Sequence, residues 1–240
     1  MKKLLIVLLA FTSFHTFAQR WETIKGNGQI KKESRSVSAF TSLASEGSMD
    51  VQITYGSPEN LTIEADENLL PYIETSVEEN KLTIKTKKNI NLKTAKKIIV
   101  YVSMTKINSL QLSGSGDIKG SGAFTSDGKT DISLSGSGNL TLDFGSFKDL
   151  GLSLAGSGNM ALKGDATNSI DAKVSGSGNI DCVKVASKDV DVKLSGSGNV
   201  KVYADNSIDA KISGSGNVYY KGDAQNINSK VVGSGKVLKM

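Results

Sequence analysis

Aspartates recur at Asp131, Asp171, Asp191 and Asp209, and lysines stand two positions after three of them, at Lys173, Lys193 and Lys211, with Lys230 closing the series. Two carboxylates about 5–10 Å apart in a cleft are the equipment of glycoside hydrolysis. A β-helix polysaccharide lyase or hydrolase is therefore the first chemistry to weigh. Repetition weakens it, because stacked repeats bring carboxylates to such distances without selection for catalysis. Adjacent Asp and Lys columns also offset each other's repulsion on a solvated face, each exposed pair contributing about 0–1 kcal/mol. The second reading asks less of the residues.

Other chemistries are bounded by what is missing. The lone histidine, His15, lies within an N-terminal segment read below as a signal peptide. Without it, histidine-based triads and histidine zinc sites are excluded in their usual forms. Cys182 is the one cysteine and falls on an apolar phase, which suits a small core residue better than a nucleophile. No metal and no cofactor is expected. The hydroxyl and amide rows remain: Ser137, Ser157, Ser177, Ser197 and Ser215, with Asn139, Asn159, Asn179, Asn199 and Asn217. They form a candidate surface ladder for a glycan or an envelope protein. Against it stands the plainer role of hydrating and hydrogen-bonding the corners of a repeat. Trp21 is expected to cap the first coil.

The elements that carry these rows follow from an internal repeat. Leu112-Ser-Gly-Ser-Gly-Asp117 recurs as Leu134-Ser-Gly-Ser-Gly-Asn139, Leu154-Ala-Gly-Ser-Gly-Asn159 and Val174-Ser-Gly-Ser-Gly-Asn179. Leu194-Ser-Gly-Ser-Gly-Asn199 and Ile212-Ser-Gly-Ser-Gly-Asn217 follow, and Val232-Gly-Ser-Gly-Lys236 is a truncated last copy. A phosphate loop occurs once, between strand and helix, so six full copies argue against nucleotide binding. Calcium-binding β-roll repeats need an aspartate per copy, and only Asp117 fills that slot.

A period near 20 residues with Gly-rich corners fits one turn of a β-solenoid. The parity agrees: Ile170, Ala172, Val174, Gly176, Gly178, Ile180 and Cys182 alternate with polar residues. Period two places one set inward and the other in water. The glycines are thus expected on the inward phase, the serines outside, and asparagine next in a position that tolerates left-handed backbone. Stacked asparagines about 4.8 Å apart are expected to form an amide ladder.

Residues 20–105 lack the motif but keep the alternation, as in Met49, Val51 and Ile53 or Ile98, Val100 and Val102. Glu46-Gly-Ser-Met-Asp-Val51 reads as a degenerate glycine corner, and Asn68–Ile73 as the one short helical turn. The expected architecture is all-β: a right-handed parallel β-helix-like solenoid, its irregular early coils leading into regular ones.

The chain opens Met1-Lys2-Lys3, then an apolar run from Leu4 to Ala10 and a small residue at Ala18. That is a secretory signal peptide, too short to span a bilayer, with cleavage expected after Ala18. No cysteine adjoins the cut, so no lipid anchor and no membrane span are expected after cleavage. The expected organisation is signal peptide 1–18, N-terminal segment 19–35 and solenoid 36–238, irregular over 36–110 and regular over 111–238. Loss of Lys2 and Lys3 leaves 27 basic against 24 acidic residues, a net +3 too dispersed for nucleic acid.

Three stretches carry a resemblance. They are Val100–Gly116, Met49-Asp-Val-Gln-Ile53 with Ala65-Asp-Glu-Asn-Leu-Leu70, and the Ser-Gly-Ser-Gly-Asn copies. Together they resemble the GIN-domain family, which bears an autotransporter adhesin-head label, over roughly residues 36–238. The resemblance implies an all-β helix-like fold and an envelope or extracellular location, and it brings no catalytic or binding residues. The expected function is an exported, non-enzymatic, adhesin-like module in the periplasm, on the outer surface or outside the cell. Open solenoid ends expose unpaired edges, so a homo-oligomer is a further expectation.

Overall fold

A computed structural model of the chain describes residues 21–57 and 60–240; the expected signal segment, 1–18, lies outside them. The protein is nearly all β, with parallel coils stacked into a solenoid of about seven turns. Each regular coil supplies two strands joined by a Gly-Ser corner. Ser109–Gly114 with Asp117–Ser121 begins the series, and Asn226–Gly233 with Lys236–Lys239 ends it.

The alternation sets the register. Leu112, Leu134, Leu154, Val174, Leu194 and Ile212 stand in line across parallel strands, and none is more than 2% exposed. A one-residue slip would turn this whole column outward, so burial holds the register firmly. Each such side chain contributes roughly 1.5–3 kcal/mol.

The corners show why glycine recurs. Gly196 has φ +124°, and a Cβ there would collide with the carbonyl oxygen of Gly176 in the preceding coil. That oxygen accepts the N–H groups of Ser197 and Gly198 at 2.9 and 3.3 Å. The same two-donor contact recurs at every motif copy, so close backbone approach closes the stack at each corner. In each of the six full copies only the second glycine is buried and the first is half-buried. The expectation that both share the inward phase is corrected accordingly, because positive φ swings the chain round the corner. The motif asparagines are corrected too. Among the described residues, positive φ outside glycine falls at Glu79 and Asn80, in the turn between Ile73–Glu78 and Lys81–Thr86, and at Asn89, just before Ile90–Lys93, and not at any motif asparagine.

The early coils do not simply run in chain order. Lys81–Thr86 pairs parallel with Ser42–Gly47, and Ile99–Met104 with Asp50–Tyr55. Ser42–Tyr55 therefore lies between coil 81–104 and coil 109–121. Gly47 aligns with Gly114, which makes Glu46–Val51 the degenerate corner that its sequence suggested. Beyond this first coil the pairing becomes antiparallel. Asn60–Asp66 joins Ile99–Met104, Ile30–Ser36 joins Asn60–Asp66, and Ile73–Glu78 joins Lys81–Thr86. A 3-10 helix, Glu67–Tyr72, buries Leu69 and Leu70 beside them. This antiparallel layer closes one end of the stack. Buried Asp66 fastens a small outlying sheet to it by accepting N–H bonds from Gly28 and Ala95 at 2.7 and 3.0 Å. At the other end Ile227 and Val232 are 48% and 63% exposed.

Candidate binding face of the solenoid

The asparagine ladder exists and is spent on itself. Asn159 Nδ2 donates to Asn139 Oδ1 at 3.0 Å, and Asn179 Nδ2 to Asn159 Oδ1 at 2.9 Å. Asn199 Nδ2 donates to Asn179 Oδ1 at 3.0 Å, and Asn217 Nδ2 to Asn199 Oδ1 at 3.4 Å. Asp117 starts the chain of bonds, receiving both the side-chain and backbone N–H of Asn139 at 3.0 Å. Lys97 neutralises that origin, 2.9 Å from Asp50 and 3.9 Å from Asp117. Its ammonium is held above the ordinary lysine pKa by the bond to Asp50. Each carboxamide oxygen before the last copy thus has a partner one coil on, which makes the ladder a staple between coils. Ser137, Ser157, Ser177, Ser197 and Ser215 are all exposed, at the corner itself.

The charged columns lie on a different face. Lys173, Lys193 and Lys211 each pair with the aspartate two residues earlier, at 3.2, 3.1 and 3.3 Å. Lys129 pairs with Asp131 from the preceding side, at 3.2 Å. Asp171, Asp191 and Asp209 stand in register on adjacent coils, and each has an ammonium group against it. Asp189, beside this row, has its pKa lowered by bonds from Ser207 and Asn206, the reverse of what a general acid needs.

Between the lysine column and a column of small residues runs an open groove of about 740 Å³. One wall reads Gln111, Ser133, Ser153, Lys173, Lys193, Lys211 and Lys230, one residue per coil. The other includes Ser135, Ala155, Ser175, Ser195, Ser213 and Val232. None of the ten serines and asparagines singled out from the sequence lines it. The groove is lined by the first serine of four motif copies, Ser135, Ser175, Ser195 and Ser213, and not by the second serine expected from sequence. The signal was present in the shared parity of Lys173 and Ser175, both outward on one strand.

A family model described as "Putative auto-transporter adhesin, head GIN domain" matches residues 39–224. The chain belongs to the GIN-domain family. No curated protein matches this GIN domain. Its fold recurs in a solved "putative adhesin" from Bacteroides fragilis, at 22% identity and TM-score 0.83, covering 90% of this chain and all of that one. A "putative lipid binding protein" from Parabacteroides distasonis is 26% identical, with TM-score 0.71, covering 91% of this chain and all of its own. A "putative adhesin" from Parabacteroides merdae follows at 24% and 0.68, covering 91% of this chain and 99% of its own.

Two further residues bear on chemistry. Trp21 is 65% exposed beside a 460 Å³ hollow and does not cap a coil, contrary to the expectation from sequence. Cys182 is fully buried, its Sγ donating to the Lys201 carbonyl at 3.3 Å. Burial, with a smaller push from Asp181, raises its thiol pKa to about 12. The thiolate is the nucleophile, so Cys182 is expected to resist a disulfide reagent such as DTNB at pH 8 in the folded protein and to react fully in urea. Rapid titration of the native thiol would contradict this placement.

Proposed function

We propose that this chain is an exported, adhesin-like envelope or surface protein that holds an extended partner along the side of its solenoid. The observation that carries the reading is the groove, which runs along the regular stack and repeats a lysine in each of its last four coils. A repeating face suits a partner bound at many weak points. The basic, apolar N-terminal segment supports export, and the adhesin descriptions of the family and its neighbours support a surface role. A polysaccharide lyase or hydrolase is the weaker reading, because the Asp171, Asp191 and Asp209 carboxylates are engaged by lysines.

Cell fractionation with proteolysis of intact cells tests this. The protein is expected in the envelope fraction, shortened by the size of residues 1–18, and cut when protease is added outside. Recovery of the uncleaved chain in the cytosol would sink the proposal. Intact envelope protein that resists protease until the outer layer is opened would move it to the periplasm.

A further inference from the structure

We infer that the groove is a site for a linear acidic polysaccharide, its carboxylates lying along Lys173, Lys193, Lys211 and Lys230. This rests on the reading of the solenoid side as a partner-holding face and adds the ligand class.

Periodicity is the first argument. Consecutive coils stand about 4.8 Å apart, close to the advance of one sugar in an extended glycan, so a polymer can meet equivalent groups at successive residues. Charge is the second. Among the described residues the groove is lined by four lysines and by no acidic side chain. The aspartates lie behind the lysines, two residues away along each strand. They take one contact from Lys173, Lys193 and Lys211, whose side chains remain 49–53% exposed. Each ammonium has three donors, so the one aspartate contact does not exhaust it. The bond to Asp191 also raises the Lys193 pKa, which keeps that donor charged.

The charge balance shifts at one end. Asn228 takes the place of aspartate in the last coil and donates to Asp209 at 3.0 Å. Lys230 therefore faces the groove with no carboxylate beside it in its own coil. The rest of the lining fits a sugar chain: serine hydroxyls at Ser175, Ser195 and Ser213 reach ring hydroxyls. Between the walls, lysine stems and backbone carbon present an apolar surface to the sugar C–H face.

The test titrates the purified exported chain with a galacturonate hexamer, its methyl ester and sodium oleate, by calorimetry. The hexamer is expected to bind, to weaken as salt rises from about 50 to about 500 mM, and to lose roughly tenfold or more on esterification. The triple variant Lys193→Gln, Lys211→Gln, Lys230→Gln is expected to weaken binding by about tenfold. Lys201→Gln, off the groove, is expected to leave it unchanged. Circular dichroism of each variant checks that the fold persists. Equal binding of acid and ester, a triple variant that binds like the parent, or no binding of the hexamer would each overturn the assignment. So would oleate binding displaced by filling the groove with Ser195→Phe, which would assign the site to an acyl chain. Surface exposure of the protein with a failed titration removes the ligand class and leaves the surface role standing.

Discussion

Alanine in place of Gly196 is expected to cost about 3 kcal/mol or more of stability, read as a fall in the urea midpoint. Two costs act together. At φ +124° a Cβ carries backbone strain of about 1–3 kcal/mol. It also runs into the Gly176 carbonyl oxygen, which cannot withdraw without loosening its bonds from Ser197 and Gly198. No flexible side chain stands there to give way. Gly128→Ala is the control, since a Cβ at Gly128 meets nothing within 4 Å and its φ lies outside the left-handed region. It is expected to shift stability by no more than about 0.5 kcal/mol. Equal effects at the two positions would show that the corner glycines do not set the spacing of the stack.

The corners were legible in sequence because their requirement is local. A residue that must enter positive φ and let another backbone approach closely has one solution, and it recurs at Gly136, Gly156, Gly176, Gly196 and Gly214. The inward column from Leu112 to Ile212 was legible for the same reason, since period two needs no knowledge of the partner strand. The order of the early coils was not. Parallel and antiparallel strands share that period, so Leu61 and Ile63 announce a strand without naming its direction or neighbour. Only the three-dimensional pairing reveals that residues 81–104 stack outside residues 42–55.

The site divides along similar lines. The asparagine ladder follows from coil spacing alone, and the structure contains it. Its reading as a binding surface loses force because the amides satisfy one another. The groove was hidden because it belongs to no single segment. It arises where long lysine stems in some coils stand opposite small serines across a strand, and pairwise charge arithmetic describes that row as an ordinary solvated face. Asp–Lys pairing and an anion-binding rail are compatible: each aspartate takes one contact from a lysine whose side chain stays about half exposed.

Phe147→Ala carries the other large expected effect, about 3–5 kcal/mol. Phe147 is fully buried and stacks on Phe144 with ring centroids 4.2 Å apart and an interplanar angle of 8°. With buried Phe124, these rings fill the side of the solenoid around coils 124–147. Further along, the buried positions on that side are Thr167 and Ser187, whose hydroxyls bond the Lys148 and Asp189 carbonyls at 2.7 and 3.0 Å. Those short, tethered side chains cannot swing into the space a missing ring would leave, so the void stays open. Because each coil touches only its neighbours, the loss is expected to concentrate there. Amide exchange should quicken most across Lys129–Gly136 and Asp149–Gly156, while Asn217–Lys221 changes little. Phe147→Leu, which keeps most of the volume, is expected to cost less than the alanine variant. A uniform rise in exchange along the whole solenoid would mean that it unfolds as one unit, and the nearest-neighbour description of the stack would have to be given up.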